Sequence, residues 1–350
     1  PNHVEVKTLH AIGLKYISKR FPGIKVNFDK VDNILDKMFK KDKKYLSLLP
    51  SLDKTISLSK GCLASTSEEI SDIIDDFESD FDDNLISETD FINHVQFALD
   101  FCKRNTNEIN FDDMIWFPNV HEITMPKYDR LFVDEAQDLN KAQRELCLRM
   151  IKKTGRTFVI GDKHQAIYQF RGADSASIDN FQNALDAKML PLSITYRCPI
   201  TVTKEAQKIV SAIEWAPAAI DGIVDNKTQQ DMLLNAPLGC FIISRTNAPL
   251  IRIAMNYIKR GIPANIQGRN IGEGLLFLVK KSRCKHLDSF ITFLDKWEKK
   301  EVARVIAKKK NPSFIQDKAE CLRTLAETCA NVDEIKAKIF ELFHEKTADN

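Results

Sequence analysis

Hydrophobic spacing along the chain switches between a helical and a strand-like period. Residues 3–20 begin extended around Val4 and Val6 and turn helical after His10, where Leu14 and Ile17 recur at helical intervals. Residues 30–115 read as mainly helical and strongly charged, with a basic run at 37–44 and an acidic run at 68–83. Neither run recurs at a fixed period, so no internal repeat is predicted. The character changes at residues 128–139. Leu131, Phe132 and Val133 form a short apolar run that ends in Asp134 and Glu135, the pattern of a buried parallel strand with acids at its carboxyl tip. Helical spacing over 141–152, a strand over 157–160 ending at Gly161-Asp162, a helix over 177–187 and a strand-like stretch over 189–194 follow in turn. A second such unit is predicted from a strand at 240–244, a helix at 247–260 and a short strand at 264–267 after the Gly261-Ile262-Pro263 turn. The glycine-rich stretch 268–274 reads as a turn, and everything beyond it as helix. Strand–helix–strand alternation predicts an α/β fold built on open parallel sheets.

A chain of 350 residues is long enough for two or three domains. Its 43% apolar and 29% charged content is ordinary for a globular protein, and no apolar run approaches the roughly 18 residues that cross a bilayer, so no membrane partner is expected. The polar start carries no signal-peptide pattern. The first residue is Pro rather than Met, which predicts a shortened N-terminus. A net charge of +2 gives no overall basic excess, although a nucleic-acid channel requires only local charge. Eight scattered cysteines without a Cys-x-x-Cys pair predict a reducing, cytoplasmic-type compartment and no zinc site.

The chemistry starts at Asp134-Glu135. Ligands of open α/β sheets bind at the carboxyl ends of strands, where adjacent acids can divide the labour: one holds Mg²⁺, the other takes a proton from an attacking water. For an isolated Asp-Glu pair, a helix N-cap is the commoner explanation. The context changes that balance. Gln137-Asp138 follows at once, and the second strand ends in Gly161-Asp162-Lys163-His164-Gln165, then Ala166, Ile167, Tyr168, Gln169, Phe170, Arg171, Gly172 and Ala173. These two blocks resemble motifs II and III of superfamily 1 helicases of the UvrD/Rep type at every fixed position. Further blocks are similar in the same order: Thr8-Leu9-His10, Phe111-Asp112-Asp113-Met114, Tyr196-Arg197, and Ser244-Arg245-Thr246-Asn247 with Gly261-Ile262-Pro263 and Gly268.

The resemblance implies an ATP-dependent DNA helicase or translocase, running 3′ to 5′ on single-stranded DNA and at single-strand/duplex junctions, with ATP and Mg²⁺ as cofactors and a monomer as the working assumption. Carried over residue by residue, Asp134 is the Mg²⁺ acid, Glu135 the general base and Gln165 the γ-phosphate sensor. Arg197 reaches the same phosphate, and Tyr196 lies against the adenine. Thr8 and His10 touch the DNA backbone, while Tyr168, Phe170 and Arg171 meet unpaired bases. The family usually carries Trp where this chain has Phe170. For Tyr168 and Phe170 the rival reading is core packing.

The implied architecture is two RecA-like lobes with parallel sheets. Residues 1–17 and 105–190 form the first lobe and 18–104 its helical insertion; 191–280 form the second lobe and 281–350 the start of its insertion. A phosphate-cradling Gly-Lys-Ser/Thr occurs nowhere in the chain, and the family's last two motifs are also absent. A chain cut at both ends is therefore expected, with no ATPase of its own. Rival functions are a non-unwinding translocase and an inactive DNA-binding scaffold; an RNA substrate is a third. The basic runs at 37–44 and 299–310 are either solvated helix faces or duplex contacts.

Overall fold

The structure, a computed structural model, describes residues 4–39, 45, 48–77, 81, 85–166, 174, 176–235, 237, 239–267, 269–307 and 311–343. The expectations for Tyr168, Phe170, Arg171 and Gly268, and for parts of both basic runs and of the acidic run, lie outside the described residues. The chain divides into two compact units, Pro1–Leu190 and Pro191–Asn350.

The first unit runs α1 (Leu9–Arg20), β1 (Lys25–Val26), α2 (Lys30–Phe39), α3 (Leu49–Cys62), α4 (Ser67–Asp76), α5 (Glu88–Arg104), β2 (Glu108–Ile109), α6 (Asp113–Val120), β3 (Tyr128–Val133), α7 (Lys141–Leu148), β4 (Ile151–Val159) and α8 (Ser177–Leu185). Its core is built from helical stripes. Val31, Ile34 and Leu35 of α2 meet Phe91, Val95, Leu99 and Cys102 of α5, each spaced to fall on one helix face. The hydrophobic segment of α6 is buried throughout Met114–Phe117, so it forms the centre against which α1, α3 and α7 pack. Gly13 permits the α1 contact: a Cβ there would lie 1.8 Å from the Met114 carbonyl oxygen.

A charged knot is sealed into this core. Lys30 Nζ lies 2.7 Å from Asp113 Oδ2, and Lys60 Nζ lies 2.8 Å from Oδ1. Lys30 also donates to the Cys102 carbonyl at 3.1 Å, and Lys60 to Asn110 Oδ1 at 3.3 Å. Asn110 and Asp113 close a reciprocal turn, each side chain accepting from the other's backbone N–H. Buried charges persist only when paired and hydrogen-bonded in this way.

Strands β3 and β4 pair in parallel, with Phe132 opposite Phe158 and Val133 opposite Val159. Val133 turns into the core. Phe132 and Phe158 stack at 4.7 Å on the other face, where they are 63% and 44% exposed. Helix α7 ends at Leu148, earlier than its helical spacing predicts, because Ile151 is already paired with Tyr128: residues 149–150 form the turn between helix and strand, and β4 takes 151–152.

The second unit runs β5 (Ile194–Thr195), α9 (Ile200–Gln207), β6 (Glu214–Trp215), α10 (Gln229–Asn235), α11 (Ala248–Lys259), α12 (Arg269–Ser282), α13 (Leu287–Ala307), α14 (Ser313–Ala326) and α15 (Val332–Phe343). Its core lies among α11–α15. Asp317 of α14 caps α11 by accepting from the backbone N–H groups of Asn247 and Ala248 at 2.9–3.0 Å.

Several sequence expectations need correction here. Residues 240–244 and 264–267 are not strands; in the first stretch Phe241 and Ile243 are 85% and 91% exposed and only Ile242 is half-buried, so the apolar run buries little. Of the stretch at 189–194, only Ile194 enters a strand, the first residue of β5. The glycine-rich segment is not a turn beyond residue 268: Gly272 and Gly274 lie inside α12, and Gly272 lets it press on Phe343, whose Cβ would be 2.7 Å from an added methyl. The described sheets are short parallel pairs (β1–β2, β3–β4 and β5–β6) within a largely helical molecule.

Candidate functional site

The site is the shared carboxyl edge of β3 and β4. After Val133 the ladder continues past both strand ends: Ile160 N–H donates to the Val133 carbonyl at 2.8 Å, and Ala136 N–H to the Ile160 carbonyl at 2.9 Å. This holds the two exits side by side. Asp134 and Glu135 stand exposed on the first, Gln165 on the second. Glu135 occupies the left-handed region (φ 50°, ψ 43°), which reverses the chain between its buried neighbours Val133 and Ala136. A non-glycine residue pays about 1–2 kcal/mol for that conformation. The N-cap explanation for the acids does not apply. Asp134 accepts from the adjacent Glu135 N–H, and Glu135 makes no side-chain cap to the short helical turn at Ala136–Asp138.

Polar side chains join the two exits. Gln137, only 4% exposed, donates from Nε2 to Glu135 Oε2 at 2.7 Å, and its Oε1 accepts from Asp162 N–H at 3.2 Å. Asp162 in turn accepts from His164 N–H at 2.9 Å and from Gln165 Nε2 at 2.8 Å. A continuous path therefore runs Glu135–Gln137–Asp162–Gln165. Gly161 makes room for it: a Cβ would sit 2.4 Å from Gln137 Oε1. Beside the path, burial and then the Glu135 charge push the Asp138 carboxyl above its ordinary value.

A second tie joins Leu139 and Asp174. Asp174 N–H donates to the Leu139 carbonyl at 3.2 Å, and its carboxylate takes Arg144, Asn180 Nδ2 at 2.8 Å and Ala176 N–H at 2.9 Å. Burial pushes this carboxyl up, but those hydrogen bonds outweigh it and hold it below the usual carboxylate range.

Thr8 and His10 sit at the start of α1. The Thr8 hydroxyl caps the helix by accepting from Ala11 N–H at 3.2 Å. His10 stacks on Phe111 at 3.9 Å, and burial lowers its pKa against a smaller opposing effect of Asp112. His10 also lines a cavity of about 80 Å³ with Ser57, Lys60, Asp112, Asn140 and Gln143. In the second unit, Tyr196 and Arg197 are exposed on the turn after β5, where Thr195 Oγ1 accepts from Arg197 N–H at 3.4 Å and Cys198 N–H at 3.3 Å. The structure thus joins Glu135 with Gln165, and describes Tyr196 and Arg197 separately. Gln137, Asp162, Arg144 and Asp174 carry this geometry without having been assigned roles from sequence. A polar residue buried two positions after a strand-tip acid is the available signal for Gln137.

Paired acids at the carboxyl edge of neighbouring parallel strands define an α/β ligand-binding edge. Residues 2–186 match the UvrD/REP helicase N-terminal domain, and the chain belongs to that family of UvrD-like superfamily 1 helicases. It is 26% identical over 226 residues to the ATP-dependent DNA helicase Rep of Escherichia coli (strain K12), covering 59% of this chain and 32% of that protein. It is 28% identical over 230 residues to Rep of Buchnera aphidicola subsp. Schizaphis graminum (strain Sg), with the same coverage of 59% and 32%. Over 114 residues it is 34% identical to the ATP-dependent DNA helicase PcrA of Staphylococcus aureus (strain Mu50 / ATCC 700699), covering 32% of this chain and 15% of that protein. The chain thus spans about a third of the length of the Rep proteins it matches. No helix among the described residues is long and apolar enough to cross a membrane, and all eight cysteines are free.

Proposed function

We propose that this chain contributes the hydrolytic edge of an ATP-driven motor that moves 3′ to 5′ on single-stranded DNA and opens duplex at junctions. Residues 1–17 and 105–190 belong to one RecA-like lobe with 18–104 as its helical insertion, and 191–280 to a second lobe whose insertion begins at 281. The observation that carries this reading is the hydrogen-bonded path Glu135–Gln137–Asp162–Gln165 across the ends of β3 and β4.

Asp134 and Glu135 are exposed hard-oxygen donors at the strand tip, which suits Mg²⁺: the ion takes one or two carboxylates and completes its shell with water and phosphate oxygens. Asp134 would hold the ion, which would supply positive charge to the phosphates when bound. Glu135, fixed by Gln137, takes the proton of the attacking water. Gln165, held by Asp162, contacts the γ-phosphate. Arg197 supplies positive charge to the same phosphate and Tyr196 stacks on the adenine. Phosphoryl transfer spreads charge over oxygens, so placed cations and donors carry most of the acceleration. Thr8 and His10 contact the DNA backbone; Tyr168, Phe170 and Arg171 meet unpaired bases, where stacking is sequence-tolerant.

The test is strand displacement by the full-length protein on a duplex with a 3′ single-stranded tail, beside ATP hydrolysis with and without single-stranded DNA. Displacement with DNA-stimulated hydrolysis is expected. Stimulated hydrolysis without displacement identifies a non-unwinding translocase, and hydrolysis indifferent to DNA overturns the proposal.

A further inference from the structure

The geometry points to Gln137 as a positioning residue that aligns the Glu135 carboxylate and locks it to the strand end bearing Asp162 and Gln165. The inference rests on Glu135 being the base, and goes beyond it by naming what holds the base in place.

The chemistry of the two partners selects this side chain. The Asp162 backbone N–H can only donate, and an ionised Glu135 carboxylate can only accept. A neutral group lying between them must present an acceptor to one and a donor to the other, and a primary amide does so with its two ends. The amide orientation follows from the same constraint: Oε1 must face Asp162, which leaves Nε2 on Glu135. Gln137 itself is only 4% exposed, so its amide has little solvent to turn to in place of these two groups. Gly161 is part of the same device, because any side chain at that position would collide with Oε1. Glu135 lies on a left-handed turn that the ladder bond from Ala136 to Ile160 fixes from the backbone side. Gln137 fixes its side chain. The base and the group that carries Gln165 therefore move as one piece.

The consequence is specific: loss of Gln137 should act through Glu135. In the full-length protein, Gln137→Leu removes both bonds. Gln137→Glu keeps an acceptor for Asp162 N–H but removes the donor and sets a like charge against Glu135. Each is expected to lower kcat for ATP roughly ten- to hundredfold with KM nearly unchanged. Gly161→Ala, which displaces the amide without altering it, should lose activity in the same direction.

The discriminating measurement is a double-mutant cycle by single-turnover hydrolysis, with melting curves to establish that each variant is folded. In a Glu135→Gln background, Gln137→Leu should cause no further loss. An equal fractional loss in both backgrounds, or wild-type kcat in folded Gln137→Leu and Gln137→Glu, overturns the assignment. Near-normal turnover by Glu135→Gln alone would instead overturn the base itself. Should Gln137→Leu fail to fold, Gln137→Glu and Gly161→Ala carry the same cycle.

Discussion

Lys60 Nζ lies 2.8 Å from Asp113 Oδ1, and neither side chain is exposed to solvent. With Lys30 on the other oxygen, two ammonium groups share one carboxylate inside a helical core. Burial alone would push the Lys60 pKa down; Asp113 reverses the sign and holds it above its ordinary value. Breaking such a pair from one side leaves uncompensated charge, which costs about 3–5 kcal/mol. Asp113→Ala should therefore lose stability on that scale or fail to fold, and adding Lys60→Met should recover part of the loss. Chemical denaturation of the three proteins checks both statements.

The contact between α1 and α6 gives a second expectation. Gly13→Ala places a methyl against the Met114 carbonyl, which can yield only if a helix shifts. Overpacking of this kind costs about 1–3 kcal/mol. The variant should melt at a lower temperature, and an unchanged Tm would show that the helices separate freely.

A pH dependence follows from Asp174. Its folded pKa lies below the ordinary carboxylate value because hydrogen bonds from Ala176 N–H, Arg144 and Asn180 outweigh burial. A depressed carboxyl adds stability above its unfolded pKa, about 3.9, and that contribution is lost as pH falls through the lower folded value. Asp174→Asn should thus destabilise at neutral pH, by roughly 1–3 kcal/mol. The gap from wild type should narrow as the pH drops below about 4. A gap that widens in acid would contradict the sign.

Arg197 tests the contribution of the second unit. Arg197→Ala in the full-length protein should reduce hydrolysis by about 10³–10⁵. Binding to single-stranded DNA, measured by fluorescence anisotropy, should remain close to wild type. A parallel loss of both would assign Arg197 to the DNA or to folding.

Much of the edge is legible in the sequence because strand tips announce themselves. Leu131–Val133 followed by two acids reads as a strand and its exit, and β3 ends at Val133 in parallel pairing as expected, although Phe132 is exposed where the sequence predicts a fully buried strand. The apolar runs at 240–244 and 264–267 look similar but pair with no strand among the described residues, and spacing alone does not reveal a missing partner. The end of α7 was likewise set from outside, by the pairing of Ile151 with Tyr128. Motif spelling quotes Gln137 and Asp162 without their roles, since the bond between them exists only in the register of β3 against β4. The Lys30–Asp113–Lys60 knot is invisible for the same reason: helix packing assembles it from distant segments, and each lysine alone reads as surface.

The most direct measurement is single-turnover ATP hydrolysis by full-length Glu135→Gln, beside equilibrium binding of ATP to the same protein. ATP affinity should stay near normal while hydrolysis falls by about 10²–10⁴, the usual effect of removing a general base. Hydrolysis within a few-fold of wild type would contradict that role.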